Sequence, residues 1–260
     1  MFTRRDLLTV VEQSPAAVAR HDKAAWVSLF AADGTVNDPV GSKPNVGHES
    51  IGRFYDTFIA PNTIVFHVDA DIVCARSVVR DLTVETQMSS GVTLRVPMHL
   101  RYEIDGDLKI AGLYAHWELA DMVGQLVRRG PAALPVMLGL TGKLLKNQRL
   151  GGSIGFARGF ARAGLVAREL ADVFLDTVTS GSNLGVAQAM LVDRPVVAIG
   201  DDQGTSLEAI SDRLVGFAIG KTIEAGSFIT ATVSDGASHG VLLLEFAKHE
   251  IAVIKLYIND

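Results

Sequence analysis

The chain has 260 residues, 48% of them hydrophobic and 20% charged, enough apolar material to bury the core of one large domain or two small ones and too much for a disordered chain. Its formal net charge of −5, with no long run of Lys and Arg, argues against a nucleic-acid partner. A single cysteine, Cys74, excludes an internal disulfide and every multi-cysteine metal cage.

The N-terminal apolar run Leu7-Leu8-Thr9-Val10-Val11 is cut by Glu12, too short for a signal-peptide core. The most apolar uncharged stretch, residues 130–142, contains Pro131 and Pro135 and falls short of the roughly 20 residues that cross a bilayer. No membrane span is expected, and the expected location is cytoplasmic.

Residues 6–30 place apolar side chains at helical spacing in two blocks, divided by a polar hinge at His21-Asp22-Lys23. Pro15 is expected to kink or start the first of these helices. Residues 34–37 read as a short strand stopped by Asp38-Pro39, and a Gly, Ser, Pro and Asn loop over 41–47 leads into a helix at 49–59. The period then changes to two, which predicts antiparallel strands at 64–68, 78–86, 92–104 and 108–118. Residues 119–167 carry no strand signal and read as helices at 119–128, at 132–146 and from 153 onward. The segment 127–146 is basic at both ends and apolar between, which would suit a membrane surface, but a helical hairpin packed on a domain is the plainer reading. Gly152, Gly155 and Gly159 follow no strand, so they permit close helix packing and do not form a nucleotide-binding loop.

The last third repeats the order of the first. Helices are predicted at 169–179 and 184–192, a strand at 195–199, a helix at 206–214, and strands at 215–219, 227–233, 240–246 and 251–258. The inference is an α+β protein made of two tandem copies of one unit. The first copy occupies 1–120, a helical linker 121–167, and a second, degenerate copy 168–260.

The stretch Leu29-Phe30-Ala31-Ala32-Asp33-Gly34-Thr35-Val36-Asn37-Asp38-Pro39-Val40-Gly41-Ser42, continued by Pro44, Gly47, Ile51 and Phe54-Tyr55, resembles the steroid Δ5-isomerases (ketosteroid isomerases) and their SnoaL-like, polyketide-cyclase-like relatives. These belong to the nuclear transport factor 2-like superfamily. The resemblance covers roughly residues 6–118 and implies a cone-shaped, cystatin-like fold, a curved antiparallel sheet wrapped around three helices. It also implies a hydrophobic steroid- or polyketide-like ligand, no cofactor, and Asp38 as the general base that moves a proton next to a ketone.

In those isomerases the developing enolate oxygen is held by one tyrosine and one protonated aspartate. Here the tyrosine position of the first helix is Ser14. The aspartate position falls on Met98 when matched on Arg101, or on His99 when matched on Pro97. Strand parity favours Met98, because Val96, Met98, Leu100, Tyr102 and Ile104 share the apolar face while Arg95, His99, Arg101 and Glu103 share the other. Loss of one such donor costs two to three orders of magnitude in turnover, so at most weak isomerase activity is expected. With Ile104 facing Leu108 across an Asp105-Gly106-Asp107 turn, Tyr114 comes opposite Met98, and Tyr114, Tyr55 and His116 become candidate replacement donors. Phe54, Phe66 and Trp26 complete the expected pocket wall.

Each of these residues also has a plainer use: Asp before Pro caps turns, buried tyrosines pack in cores, and a strand-end histidine sits on a surface. His21, His48, His67, His99 and His116 are too scattered for a local metal motif, so no metal is expected. In the second copy the Asp38 position falls near Ala198, which marks a non-catalytic partner. An intramolecular pseudo-dimer of the two copies is expected, with a homodimer as a further possibility. The competing reading is a ligand-binding or scaffolding protein that keeps only the fold.

Overall fold

A computed structural model describes residues 2–88, 91–128 and 163–259. Helix α1 (Arg4–Ala19) opens with a reciprocal cap in which Thr3 Oγ1 accepts from Asp6 N–H and Asp6 accepts from Thr3 N–H. It continues past Pro15, which therefore does not start the helix, and Val10, Val11, Ser14, Ala17 and Val18 bury one face against the core. Asp22 caps the short α2 (Lys23–Ser28), confirming the polar hinge. Strand β1 (Phe30–Asn37) starts four residues earlier than its sequence signal, since Phe30 already pairs with Ile110. The two-residue β2 (Asn45–Val46), α3 (Gly47–Phe54) and a π-helical turn (Tyr55–Ile59) follow. Then come the long strands β3 (Asn62–Cys74), β4 (Ser77–Met88) and β5 (Thr93–Ile104), and the shorter β6 (Ile110–His116).

These strands form a sheet in the order β2-β1-β6-β5-β4-β3. It is mixed: β1 and β6 run parallel while the other neighbours are antiparallel. One face closes over α1, α2 and α3 around a core that includes Leu7, Val11, Trp26, Ile51, Leu82 and Tyr102. Helix α4 (Leu119–Arg128) follows β6 and sets Leu126 against Val92 and Leu94.

The second unit reproduces this plan. Helices α5 (Leu165–Ser180) and α6 (Leu184–Gln188) precede β7 (Leu191–Ile199), β8 (Asp202–Gln203) and α7 (Leu207–Leu214). Strands β9 (Ala218–Ala225), β10 (Phe228–Ser234), β11 (His239–Ala247) and β12 (Glu250–Ile258) complete a sheet in the order β8-β7-β12-β11-β10-β9. Even the irregularities repeat. The break between Glu103 and Ile104 opposite Gly112 and Ile110 recurs between Glu245 and Phe246 opposite Val253 and Ile251. The helices expected at 132–146 and from 153, and the glycines 152, 155 and 159, lie outside the described residues.

The outer faces of the two sheets meet. Ile72, Val79, Val241 and Tyr257 form an apolar patch there, with Cys74 packed against it as a small hydrophobe. Beside it lies a buried polar cluster around Asp81. Its carboxylate is paired with the Lys221 ammonium, accepts from Thr232 Oγ1 at 2.6 Å, and lies 3.0 Å from His239 Nε2. Lys221 also donates to the Leu82 and Met98 carbonyls at 2.8 and 3.2 Å. Because the Thr232 hydrogen goes to Asp81, Thr232 Oγ1 must accept from His99 Nε2 at 2.9 Å. His99 Nδ1 then accepts from Thr230 Oγ1 at 2.7 Å. His99 is thereby fixed as the neutral Nε2–H tautomer. Burial presses on the Asp81 charge, but Lys221 and Thr232 hold its carboxyl below the ordinary value. Among the described residues no helix is long and apolar enough to cross a membrane.

Candidate functional site

The inner face of the first sheet and its helices enclose a mostly apolar cavity. Phe54, Phe58, Ile64, Phe66, Val84, Val96, Met98 and Met122 supply most of the wall, and Asp38, Ser14, Tyr102, Trp117, Asn62 and Thr86 are its polar groups. The alternation of β5 explains the lining. Val96, Met98, Leu100 and Tyr102 point inward at period two, and the rise of about 3.3 Å per residue makes this wall roughly 20 Å long.

Asp38 follows directly on β1, where the backbone is fixed by pairing of Asn37 with Tyr114 and by the hydrogen bond from Val40 N–H to the Ala115 carbonyl at 2.8 Å. Its carboxyl group faces the cavity. The Trp117 indole Nε1 donates to Asp38 Oδ1 at 2.6 Å. Burial among apolar walls pushes the Asp38 pKa up to about 6, against the pull of the Trp117 hydrogen bond. A carboxylate near 6 sits where it can both take and return a proton close to neutral pH.

Tyr102 is fully buried on the same face, and burial first of all, with the Asp38 charge adding to it, raises its pKa. Its phenol neighbours the Ser14 hydroxyl, whose oxygen in turn accepts from Trp26 Nε1 at 3.0 Å. Trp26, Ser14 and Tyr102 thus form a polar string inside an apolar pocket. Phe54 stacks on Trp26, their ring centroids 6.4 Å apart.

Of the residues singled out from the sequence, the structure brings together Asp38, Ser14, Phe54, Phe66, Met98 and Trp26. It separates Tyr114, His116 and Tyr55 from them. The reason for the first two is register. The β5–β6 pairing sets Arg101 opposite Tyr114 and His99 opposite His116, whereas the expected turn sets Met98 opposite Tyr114. The loop is longer than expected: Asp105 Oδ1 accepts from the N–H groups of Asp107 and Lys109, and Leu108 takes a left-handed conformation. A shift by an odd number of residues turns every β6 side chain to the other face. Tyr114 therefore lies under the Arg101 guanidinium, 4.1 Å from its ring centroid, and donates to Glu103 at 3.3 Å. His116 is buried between the sheets, edge-on to Phe228. Tyr55 packs behind Trp26, with its buried hydroxyl unpartnered.

Sequence reasoning missed Tyr102 as a donor although its inward face was legible, because the neighbouring Ser14 comes from another element. It missed Trp117 because the wrong β6 register hides its direction. Counting from the paired residues, Asp38 corresponds to Ile199, Tyr102 to Leu244 and Trp117 to Ile258, so the matching positions of the second unit are apolar. Ile199 rather than Ala198 takes the Asp38 place. Among the described residues no group of three or more His, Cys, Asp or Glu side chains is arranged to hold a metal ion.

Residues 11–112 match the family model of the SnoaL-like domain. Among solved structures, the chain is similar to a Δ5-3-ketosteroid isomerase from a Mycobacterium species, at 25% identity over 45% of this chain and 95% of that one, with a TM-score of 0.43. It is similar to a Mycobacterium tuberculosis protein in complex with estradiol-17β-hemisuccinate, at 24% identity over 45% and 96%, with a TM-score of 0.42. It is also similar to a putative SnoaL-like polyketide cyclase from Shewanella denitrificans, at 13% identity over 48% and 99%, with a TM-score of 0.45. Each of these is about half the length of this chain. Asp38, Ser14 and Tyr102 fall within the matched segment, with Trp117 just beyond it. Over residues 11–112 the chain is therefore similar to the SnoaL-like domain family, in line with the resemblance read from its sequence.

Proposed function

We propose that the first unit binds a flat, apolar ketone of steroid or polyketide type and that Asp38 shuttles a proton on it. The observation that carries this reading is a carboxyl group raised to about 6 inside an apolar cavity that also holds the Tyr102 hydroxyl. Trp117 occupies Oδ1 of Asp38, leaving Oδ2 for the substrate. Oδ2 takes a proton from the carbon between the carbonyl and a β,γ double bond; the electron pair of that C–H bond forms a new C=C bond to the carbonyl carbon while the C=O π pair moves onto the oxygen, giving a dienolate. Tyr102 donates a hydrogen bond to that oxygen. Asp38 returns the proton to the γ-carbon, the carbonyl re-forms, and the net change is a shifted double bond. Ser14 and Met98 stand where the family's two strong donors are expected, so turnover is weak and rests on Tyr102.

An absorbance assay of Δ5-to-Δ4 steroid isomerisation, run beside steroid-induced thermal shifts, tests this. Turnover that drops at least about 10³-fold in Asp38→Asn supports the base. A thermal shift without turnover supports the second reading, a binding protein without the chemistry, which the Met98 wall favours. Neither signal removes steroids.

The same reading makes the two units an intramolecular pseudo-dimer. Register equivalence supports it. Thr232 is the counterpart of Asp81, Val241 of His99 and Thr230 of Val79. Asp81 touches Thr232, its own counterpart, while His99 on Thr230 mirrors Val241 on Val79. Such reciprocal contacts are the mark of a two-fold arrangement. Small-angle scattering that finds two well-separated bodies would overturn it.

A further inference from the structure

The chain on either side of the Asp38–Trp117 hydrogen bond is backed by one hairpin of the second unit, the β9–β10 turn at Gly226. On the Asp38 arm, three residues on, Gly41 lies backbone to backbone with Gly226, and a Cβ placed on Gly226 would sit 2.7 Å from Gly41 Cα. Both glycines hold positive φ, +94° and +60°, so neither the space nor the conformation admits a side chain. On the Trp117 arm, the preceding residue, His116, packs edge-on against Phe228 with ring centroids 5.6 Å apart. The following residue, Glu118, accepts from Glu224 N–H at 3.1 Å. Trp117 is therefore bracketed by two residues that both touch the hairpin.

We infer that the β9–β10 hairpin is a positioning element for the first unit's carboxylate, fixing Asp38 and Trp117 against each other and closing the cavity floor to water. This rests on the reading of Asp38 as the working carboxylate, and it gives the degenerate unit a role in that site without any chemistry of its own. Gly226, Phe228 and Glu224 act through Gly41, His116 and Glu118 and touch no substrate.

The test uses the full chain without any steroid, so it stands or falls separately from isomerase activity. The Trp117 indole N–H resonance, assigned with Trp117→Phe, is followed against pH; it reports ionisation of Asp38, and Asp38→Asn abolishes the titration. Gly226→Ala pushes Gly41 away and admits water, and the midpoint falls by about one unit toward the ordinary carboxylate range. Glu118→Ala, which removes the acceptor for Glu224 N–H, moves it the same way, and Glu118→Gln, which keeps an acceptor, restores it. Folded Gly226→Ala and Glu118→Ala variants with the wild-type midpoint would overturn the inference. Should Gly226→Ala fail to fold, the Glu118 pair decides alone. Loss of isomerisation in the wild type, with the midpoint shifts intact, would overturn the proposed chemistry and leave the buttress standing.

Discussion

The Trp117 indole reaches across from the end of β6 to hold Asp38 Oδ1 at 2.6 Å, a donor that the sequence places 79 positions from its acceptor. The bond favours the charged carboxylate and opposes the burial that raises its pKa. Trp117→Phe removes the donor and leaves burial unopposed, so the midpoint moves up from about 6 by about one unit. The pH dependence of turnover, or carboxyl NMR of Asp38, reads this shift; a fall in the midpoint would contradict the assignment.

Asp38 costs stability where it is charged. Its folded pKa of about 6 lies above the ordinary 3.8, so the folded state binds the extra proton between these values. The stabilisation is whole below 3.8 and lost as pH rises through 6. Asp38→Asn therefore melts higher than wild type at pH 7 to 8, by up to about 3 kcal/mol in chemical unfolding, with little difference at pH 3.5.

The interface histidines work in the opposite direction. Burial drives the His99 pKa down to about 3 and that of His116 well below 6.5. The unfolded chain gains protons on both rings as pH falls past 6.5, while the folded chain refuses them. Stability is whole above that pH and declines toward about 3 for His99, each ring contributing up to about 1.4 kcal/mol per pH unit. The two rings outweigh Asp38, so urea midpoints fall between pH 6.5 and 4, and His99→Gln flattens that slope.

Tyrosine substitutions separate the cavity from the outer face. Tyr102→Phe is expected to cut isomerisation by about 10²- to 10³-fold with binding largely kept. Tyr114→Phe, under Arg101 on the other face, leaves the rate within about twofold. Equal effects of the two would remove Tyr102 from the mechanism.

Lys221→Met leaves Asp81 buried without its counter-charge and is expected to destabilise the protein by about 3 to 5 kcal/mol in urea. Adding Asp81→Asn restores much of the loss, because the carboxamide needs no cation.

Element order, the duplication and the inner face of β5 were legible in the sequence because each rests on local periodicity. The apolar run from Val96 to Ile104 could pack only one way round, and Pro39 marked the end of β1. What escaped depended on counts the sequence does not carry. A loop longer than the expected three-residue turn, between Ile104 and Ile110, reversed Tyr114 and His116, and the parallel pairing of β1 with β6 joins segments about 80 residues apart. Ser14 beside Tyr102, and Trp117 on Asp38, are meetings between elements that no single-strand pattern announces.

The asymmetry of the Asp81 cluster bears on self-association. One sheet brings the carboxylate and the His99 imidazole, and the other brings the ammonium, the two threonine hydroxyls and the His239 imidazole. Paired with a copy of itself, the first unit would press Asp81 against Asp81 in a dry setting, and the second would set hydroxyl against hydroxyl with its lysine uncompensated. Under the proposed two-fold arrangement the halves fit each other as lock to key rather than mirror to mirror, and separately expressed halves are expected to pair as unlikes more readily than as likes.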